Sequence, residues 1–111
     1  MVTIKTAPIS VNRLYRGRRF LTQEGRNTKL AMGWEAKTQW KKGIILDDVR
    51  LSVCFYFKDK RGMDIDGALK GLLDCLTGII WKDDRQIVEL NVLKKIDKEN
   101  PRIELEVINS L

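Results

Sequence analysis

Residues 50–58 read RLSVCFYFK, and residues 67–78 read GALKGLLDCLTG. In the first stretch, large apolar residues recur at every second position from Leu51 to Phe57, which is the period of a strand with one buried face. In the second stretch, leucines recur at helical spacing from Leu69 to Leu76, and Gly78 stands where a helix would end. The centre of the fold is therefore predicted to be a buried strand followed by an amphipathic helix.

One more strand and one more helix are predicted before this centre. Residues 1–9 are typical of a short strand that Pro8 ends, and residues 10–21 are rich in arginine and typical of an exposed loop or hairpin. Thr22 is a candidate N-cap for a helix that extends to about Trp40.

Two strands are predicted after the centre, over Gln86–Lys95 and Arg102–Ile108, with a turn through Asp97–Pro101 between them. The resulting order of elements is β-α-β-α-β-β. A chain of 111 residues suits one hydrophobic core, so we expect a single domain over residues 1–111. The predicted fold class is α+β, a mixed sheet with two main helices packed on it.

The composition narrows the possible chemistry. The absence of histidine excludes Ser-His-Asp and Cys-His nucleophilic sites and every zinc site that uses imidazole. Cys54 and Cys75 have neither metal-ligand spacing nor a disulfide framework. No apolar run approaches the roughly 20 residues of a membrane span, and the first residues lack the apolar core of a signal peptide. We therefore expect a cytoplasmic protein with no membrane partner and no small-molecule cofactor.

The net charge of +6 is unevenly distributed. Residues 1–43 carry ten Lys and Arg against two acids, a net +8, and residues 44–111 carry eleven against thirteen, a net −2. A basic region beside a mildly acidic one is typical of a polyanion-binding surface next to a cation-binding site. An excess of Lys and Arg also occurs where it only keeps a small domain soluble, so charge alone leaves DNA binding open.

Two acidic pairs frame the leucine-rich helix. In extended backbone Asp64 and Asp66 would share a face with their Cα atoms about 6.6 Å apart, so that their carboxylates could share a divalent cation. We expect Asp66 to be the helix N-cap, Lys70 to project beside it one turn later, and Asp74 to follow Lys70 at the same spacing.

The second pair, Asp83 and Asp84, follows the helix, and we expect the return of the chain to the sheet to bring it beside Asp64. Three or four carboxylates with Lys70 and no histidine favour Mg²⁺- or Mn²⁺-assisted phosphodiester hydrolysis. Taken singly, each motif has a plainer explanation as a helix cap, a solvated turn or a surface lysine. Their order along the chain favours a site.

The 24 residues from Asp64 to Ile87, DIDGALKGLLDCLTGIIWKDDRQI, resemble the signature of RusA-type Holliday-junction resolvases. That family carries D-x-D-N, a lysine four residues after the second aspartate, and D-D-x-Q-[IV]. Residues 10–16 resemble the family's S-x-N-x-x-Y-R element, and residues 22–25 resemble the start of its first long helix. The resemblance thus covers nearly the whole chain.

The resemblance implies a homodimer that nicks two opposing strands of four-way DNA junctions with Mg²⁺ or Mn²⁺, from a bacterial, phage or prophage gene. It implies metal-binding roles for Asp64, Asp66, Asp83 and Asp84, and catalytic roles for Asp64, Asp66, Lys70 and Asp84. For the DNA surface we expect basic residues near the acids and in the arginine-rich segment to contact phosphates. These residues are Arg13, Arg16, Arg18, Arg19, Lys58, Lys60 and Arg61.

One position departs from the family pattern, because the asparagine after the second aspartate is Gly67 here. Loss of that amide removes a hydrogen bond that could orient a metal ligand. Two alternatives stay open: a junction-binding protein with weak or no catalysis, and another metal-dependent D-x-D enzyme such as a phosphatase or glycosyltransferase. The retained acids and Lys70 favour the nuclease over the binder, and 111 residues hardly accommodate the extra domain that the other enzymes need.

Overall fold

The predicted strands and helices are present in a computed structural model, which describes residues 1–8, 11–16, 20–61 and 64–109. Its elements are β1 (Val2–Ile4), α1 (Val11–Leu14), β2 (Tyr15–Arg16), β3 (Phe20–Leu21), α2 (Gln23–Gln39), β4 (Val49–Phe57), α3 (Ile65–Leu76), a 3-10 turn (Asp84–Gln86), β5 (Ile87–Ile96) and β6 (Arg102–Asn109). The α+β class and the two main helices, α2 and α3, are confirmed. The arginine-rich segment contributes the short helix α1 and the two-stranded hairpin of β2 and β3.

The alternating stretch forms β4, which lies inside a four-stranded sheet with the order β1-β6-β4-β5. β4 pairs parallel with β5, from Val49 opposite Ile87 to Phe57 opposite Ile96, and antiparallel with β6. β1 pairs antiparallel with the other side of β6. Neighbouring parallel strands need a crossover connection, and between β4 and β5 this connection contains α3. The sheet is therefore mixed, as the sequence predicts.

The alternation in β4 separates the two faces of the sheet. The buried residues of this strand are Val49, Leu51, Val53, Phe55 and Phe57. Residues from α2 and α3, among them Met32, Leu72 and Leu76, join them in one core. The residues between them in β4 are exposed or half-buried, and the side of the sheet on which they lie is called the open face below.

The helix α2 begins where the sequence predicts. The hydroxyl of Thr22 accepts a hydrogen bond from the backbone N–H of Gly25 at 2.8 Å, and the backbone N–H of Thr22 donates to the carbonyl of Leu14 at 2.9 Å. A Cβ on Gly25 would lie 2.1 Å from the Leu14 carbonyl oxygen. Only glycine fits where these two backbone segments touch, so Gly25 allows the first turn of α2 to pack against the end of α1.

The helix α3 begins two residues earlier than the sequence predicts. The expectation that Asp66 is the N-cap is wrong, because Asp64 occupies that position and its carboxylate accepts a hydrogen bond from the N–H of Asp66 at 3.2 Å. Asp66 therefore lies in the first helical turn and not in extended backbone. At the other end Thr77 is the C-cap, and Gly78 follows with a φ of +89°, a conformation that glycine adopts without strain.

Arg102 holds the turn between β5 and β6 in place. Its guanidinium pairs with Asp97 at 2.8 Å and with Glu104 at 2.9 Å, and it lies 3.8 Å from the centre of the Tyr56 ring. The backbone N–H of Asp97 also donates to the carbonyl of Phe57 at 2.8 Å. The end of β5 is thereby fixed beside the end of β4.

The two cysteines are free. Cys75 is buried in α3, and burial raises the pKa of its thiol to about 11. Cys54 is half-buried on the open face. Within the described ranges, no helix is long and apolar enough to cross a membrane.

Candidate active site

The two predicted acidic pairs lie at opposite ends of α3. Since β4 and β5 are parallel, α3 returns the chain from the end of β4 to the edge where both strands start. Asp64 and Asp66 stand at the N-terminus of α3, whereas Asp83 and Asp84 come just before β5. The 12 residues of α3 separate these ends by about 18 Å at the usual helical rise. Within one chain, the second pair does not return beside Asp64.

The N-terminal end of α3 presents a carboxylate and an ammonium group to solvent. Asp66 and Lys70 are both exposed and lie one turn apart on the same side of the helix, as the sequence predicts. Asp64 is exposed as well, although its carboxylate also caps the helix. Negative side chains at this position are stabilised by the positive end of the helix dipole.

An open cleft of about 580 Å³ lies beside Asp64. The basic residues Arg13, Lys58 and Arg61 line it together with Asp64 and Asp59. The rest of its lining comes from the ends of β4 and α3 and from neighbouring loops: Ala7, Pro8, Phe57, Ala68 and Pro101. A surface with this mixture can hold a phosphate beside a carboxylate.

Two basic residues of the cleft pair with nearby acids. Arg13 pairs with Glu24 at the start of α2, with 3.2 Å between Nε and Oε1. Arg61 pairs with Asp59 at 3.0 Å, and hydrogen bonds from the side chain and the backbone of Arg61 lower the pKa of Asp59. Exposed pairs of this kind are weak, so both arginines remain available to a polyanion.

The other acidic pair is built into a capped turn. Asp83 is the N-cap of the 3-10 turn, and its carboxylate accepts hydrogen bonds from the Arg85 backbone at 2.9 Å and from the Arg85 guanidinium at 3.1 Å. These contacts, the backbone one first, lower the pKa of Asp83. Asp84 is the first residue of the turn and is exposed. The turn thus fixes Asp83 and presents Asp84.

Gln86 is a positioning residue that the analysis of the sequence did not single out. Its side-chain oxygen accepts from the backbone N–H groups of Lys82 at 2.9 Å and Asp83 at 2.8 Å. Its side-chain nitrogen donates to the carbonyls of Ile45 and Asp47, each at 2.8 Å. Gln86 therefore ties the acidic turn to the segment before β4. The signal for this role was the glutamine of the D-D-x-Q pattern.

Asp74 contacts Tyr15. Burial raises the pKa of the Tyr15 hydroxyl, and the negative charge of Asp74 and a hydrogen bond with its carboxylate raise it further. This contact joins the last turn of α3 to the start of β2. Asp74 lies four residues after Lys70 in α3, at the spacing that the sequence predicts. The interaction of its carboxylate is with Tyr15.

The acids of a single chain do not form a complete site for a divalent ion. Across the described ranges 1–8, 11–16, 20–61 and 64–109, no group of three or more His, Cys, Asp or Glu residues could hold a metal ion. Asp64 and Asp66 supply two carboxylates at one end of α3, and Asp83 and Asp84 supply two at the other. The donor types suit a hard cation, but their placement in one chain does not.

The basic residues predicted to contact DNA are only partly described. Arg13, Lys58, Lys60 and Arg61 are exposed, and three of these four line the cleft. Arg18 and Arg19 lie outside the described residues, and Arg16 is described only by its place in β2.

A comparison with protein families matches residues 6–108 to the family described as endodeoxyribonuclease RusA. The chain belongs to this family. The resemblance seen in the sequence is thereby confirmed, and the match includes both ends of α3 and the cleft between β4 and α3.

Two relatives with curated names share parts of the sequence. The crossover junction endodeoxyribonuclease RusA of Aquifex aeolicus (strain VF5) is 34% identical over 67 residues, which are 59% of this chain and 52% of that protein. The uncharacterized protein YqaN of Bacillus subtilis (strain 168) is 43% identical over 44 residues, which are 40% of this chain and 30% of that protein. The matched stretches thus span about half or less of the length of these relatives.

Proposed function

We propose that the protein is an endodeoxyribonuclease that binds four-way DNA junctions as a homodimer and nicks two opposing strands. Membership of the endodeoxyribonuclease RusA family over residues 6–108 carries this proposal. The exposed acids and Lys70 at the N-terminal end of α3, and the cleft that Asp64 lines with basic residues, support it. Paired nicks in a substrate with two-fold symmetry suit an enzyme that has two equivalent sites.

The proposed cofactor is Mg²⁺ or Mn²⁺, because carboxylates are the ligands that hard cations prefer and the chain has no histidine. When bound, such an ion polarises the attacking water and neutralises charge on the scissile phosphate. The proposed ligands are Asp64, Asp66, Asp83 and Asp84. These four residues do not form one group within a single chain.

Lys70 is proposed to stabilise the negative charge that develops on the phosphate. Its exposed ammonium group lies one turn after Asp66, where a phosphate bound at the N-terminus of α3 can reach it. Lys70→Ala is expected to lower the cleavage rate by about 100-fold, the usual effect of removing one preorganised charge donor. Lys70→Arg is expected to retain part of the rate.

Binding to DNA is proposed to rest on contacts from basic side chains to phosphates. Arg13, Lys58 and Arg61 line the cleft with Asp64. The surface is proposed to extend over Lys60, Arg16, Arg18 and Arg19. Contacts of this kind bind with little dependence on sequence and weaken as the salt concentration rises.

The first experiment is a gel assay on a labelled four-way junction and on linear duplex of the same sequence, with Mg²⁺, Mn²⁺ or EDTA. We expect paired nicks in the junction with either metal, and none in duplex or in EDTA. Tight junction binding without nicks in any metal would instead indicate a binding protein that has lost catalysis. In that case Gly67→Asn, which restores the residue typical of the family, is the variant to assay next.

A matched pair of variants tests the acids. Asp66→Asn is expected to abolish cleavage while junction binding survives, because the amide keeps the shape and removes the charge. Glu106→Gln makes the same change on the exposed part of β6, away from the cleft, and is expected to leave cleavage unchanged. Full cleavage by Asp66→Asn would contradict its place in the site.

A further inference from the structure

A groove of about 350 Å³ lies between α2 and the C-terminal end of α3, and it is called the α2 groove. Leu30 and Trp34, one turn apart on α2, line it and are 74% and 70% exposed. Neither side chain belongs to the hydrophobic core. Adjacent large apolar residues on a surface mark a contact with another molecule, and tryptophan often carries much of the binding energy at such contacts.

Gly33 opens a gap in the α2 groove between two lysines. Lys29, Gly33 and Lys37 all line the groove and follow one another at four-residue spacing, so they form one row along α2. A Cβ on Gly33 would lie 3.2 Å from Cδ1 of Ile79, which also lines the groove. The row therefore has an ammonium group near each end and an apolar gap at its centre.

The positive charge of the α2 groove is not neutralised by acids of the domain. Among the described residues, no Asp or Glu lines the groove, and neither of its lysines takes part in an ion pair. The two acids of α2 have partners elsewhere, because Glu24 pairs with Arg13 and Glu35 accepts a hydrogen bond from the backbone N–H of Lys5 at 2.7 Å. Charge complementarity thus favours an occupant with negative charge.

We propose that the α2 groove binds an acidic segment of a partner protein, in which one apolar residue stands between two acids. Eight positions separate Lys29 from Lys37, which is about 12 Å at the helical rise. In an extended peptide, residues i, i+2 and i+4 share a side, and the first and last are about 13 Å apart. The pattern acid-x-apolar-x-acid therefore places an acid at each lysine and the apolar side chain at Gly33, beside Trp34.

Duplex DNA is the less suitable occupant of this groove. Its phosphates could contact the two lysines, but its sugar-phosphate surface offers no large apolar group to fill the gap at Gly33 or to cover Trp34. The cleft proposed for DNA lies at the N-terminal end of α3, where Asp64 and Ala68 line it, whereas the α2 groove lies at the C-terminal end. A partner in the groove would therefore leave that cleft open, and the proposal does not depend on the proposed function.

The proposed pattern is tested with labelled peptides whose ends are blocked, by fluorescence polarisation on the full-length protein. The peptide S-D-S-F-S-D-S is expected to bind with a Kd of about 100 µM, a weak and transient contact. The peptide S-S-D-F-D-S-S has the same composition but places its acids on the side opposite the phenylalanine, and S-N-S-F-S-N-S lacks the charges. Both are expected to bind at least about tenfold more weakly. No saturable binding, or equal binding of all three peptides, would overturn the proposal.

Variants of the protein test where the peptide binds. Trp34→Ala is expected to weaken binding about tenfold or more, with little change in the urea midpoint because the side chain is exposed. Lys29→Glu/Lys37→Glu is expected to lose this peptide and to bind S-K-S-F-S-K-S instead. Lys41→Glu/Lys42→Glu makes the same change at exposed residues outside the groove and is expected to keep the original preference. Wild-type affinity in Trp34→Ala would overturn the proposed location.

Sedimentation and junction binding of Trp34→Ala distinguish the other possible occupants. Both are expected to match wild type. A change in the oligomeric state would show that a second copy of the chain covers the groove, and a loss of junction affinity without a loss of peptide affinity would show that DNA does. Either result would overturn the proposal. Peptide binding by a wild type that neither binds nor nicks junctions would leave this proposal standing and refute the proposed function.

Discussion

The two ends of α3 carry the same kind of residue, a pair of aspartates, in different structural settings. At the N-terminal end, Asp64 lines an open cleft with basic walls, and Asp66 and Lys70 are exposed one helical turn apart. At the other end, Asp83 is fixed by hydrogen bonds from Arg85, and Gln86 ties the turn to the segment before β4. The acids at the first end are open to solvent, whereas the acidic turn at the second end is held in place by hydrogen bonds. Substitutions at the two ends should therefore differ in their effects on stability and on cleavage.

The largest expected effect is a loss of cleavage, and it distinguishes Asp84 from Asp83 in the turn after α3. Asp84→Asn should lower junction cleavage by at least about 100-fold with unchanged stability, because Asp84 is exposed and its carboxylate is proposed to bind the metal. Asp83→Asn should lower stability slightly as well, since the amide can still cap the turn but loses the ion pair with the Arg85 guanidinium. Cleavage rates and urea midpoints for both variants measure the difference. Equal losses of stability in the two variants would contradict the different roles given to Asp83, which is held by hydrogen bonds, and Asp84, which is exposed.

The next effect concerns the attachment of the fixed end. Gln86→Ala leaves the carbonyls of Ile45 and Asp47 and the N–H of Asp83 without their partner, and should cost about 1–3 kcal/mol in the free energy of unfolding. Cleavage should fall with it, because the turn loses its position. Gln23→Ala at the exposed start of α2 is the control and should change neither quantity. An unchanged urea midpoint in Gln86→Ala would refute this role.

A smaller effect is expected from the basic residues at the accessible end. Replacing Lys58 and Lys60 together by Ala should weaken junction binding and reduce the slope of log K against log salt by about 1.8, since each phosphate contact contributes about 0.9. Replacing Lys41 and Lys42, which are also exposed but lie outside the cleft, should change the slope less. Binding titrations over a range of salt concentrations measure both slopes.

The smallest effect is a difference in acid stability. A carboxyl with a lowered pKa in the folded state, such as Asp83, stabilises the protein above its unfolded pKa of about 3.9 and loses that contribution as the pH falls through the folded pKa. The stability difference between wild type and Asp83→Asn should therefore be greatest near neutral pH and shrink towards about pH 2. Urea midpoints at several pH values test this. A difference that grows in acid would have the wrong sign.

The strands and the long helices could be predicted because their patterns are long and local. The alternation from Leu51 to Phe57 and the leucines of α3 each repeat over several turns or pleats, so their type was correct and β5 and β6 were placed within one residue. The N-cap of α3 was missed because Asp64 and Asp66 are both suitable residues. Which of the two aspartates becomes the N-cap depends on the residue at which the preceding loop ends, and the local sequence does not determine that residue.

The placement of the acids was the less predictable part of the site. Residue types and spacing identified Asp66 and Lys70 on one side of α3, which depends only on helical geometry. The expected approach of Asp84 to Asp64 depended instead on the direction of β5. A helix between two neighbouring strands favours a parallel pair, and a parallel pair separates the two ends of the helix. That signal was present in the order of the elements.

Because the two cysteines differ in burial, one of them can be labelled selectively for spectroscopy. Cys75 is buried, and its raised pKa of about 11 leaves almost no thiolate at neutral pH, so it should resist maleimide reagents. Cys54 is half-buried on the open face, next to Leu93 of β5 in the sheet. A single dye attached there would report on the sheet edge without any engineered residue, in the native sequence and at a position away from the acids.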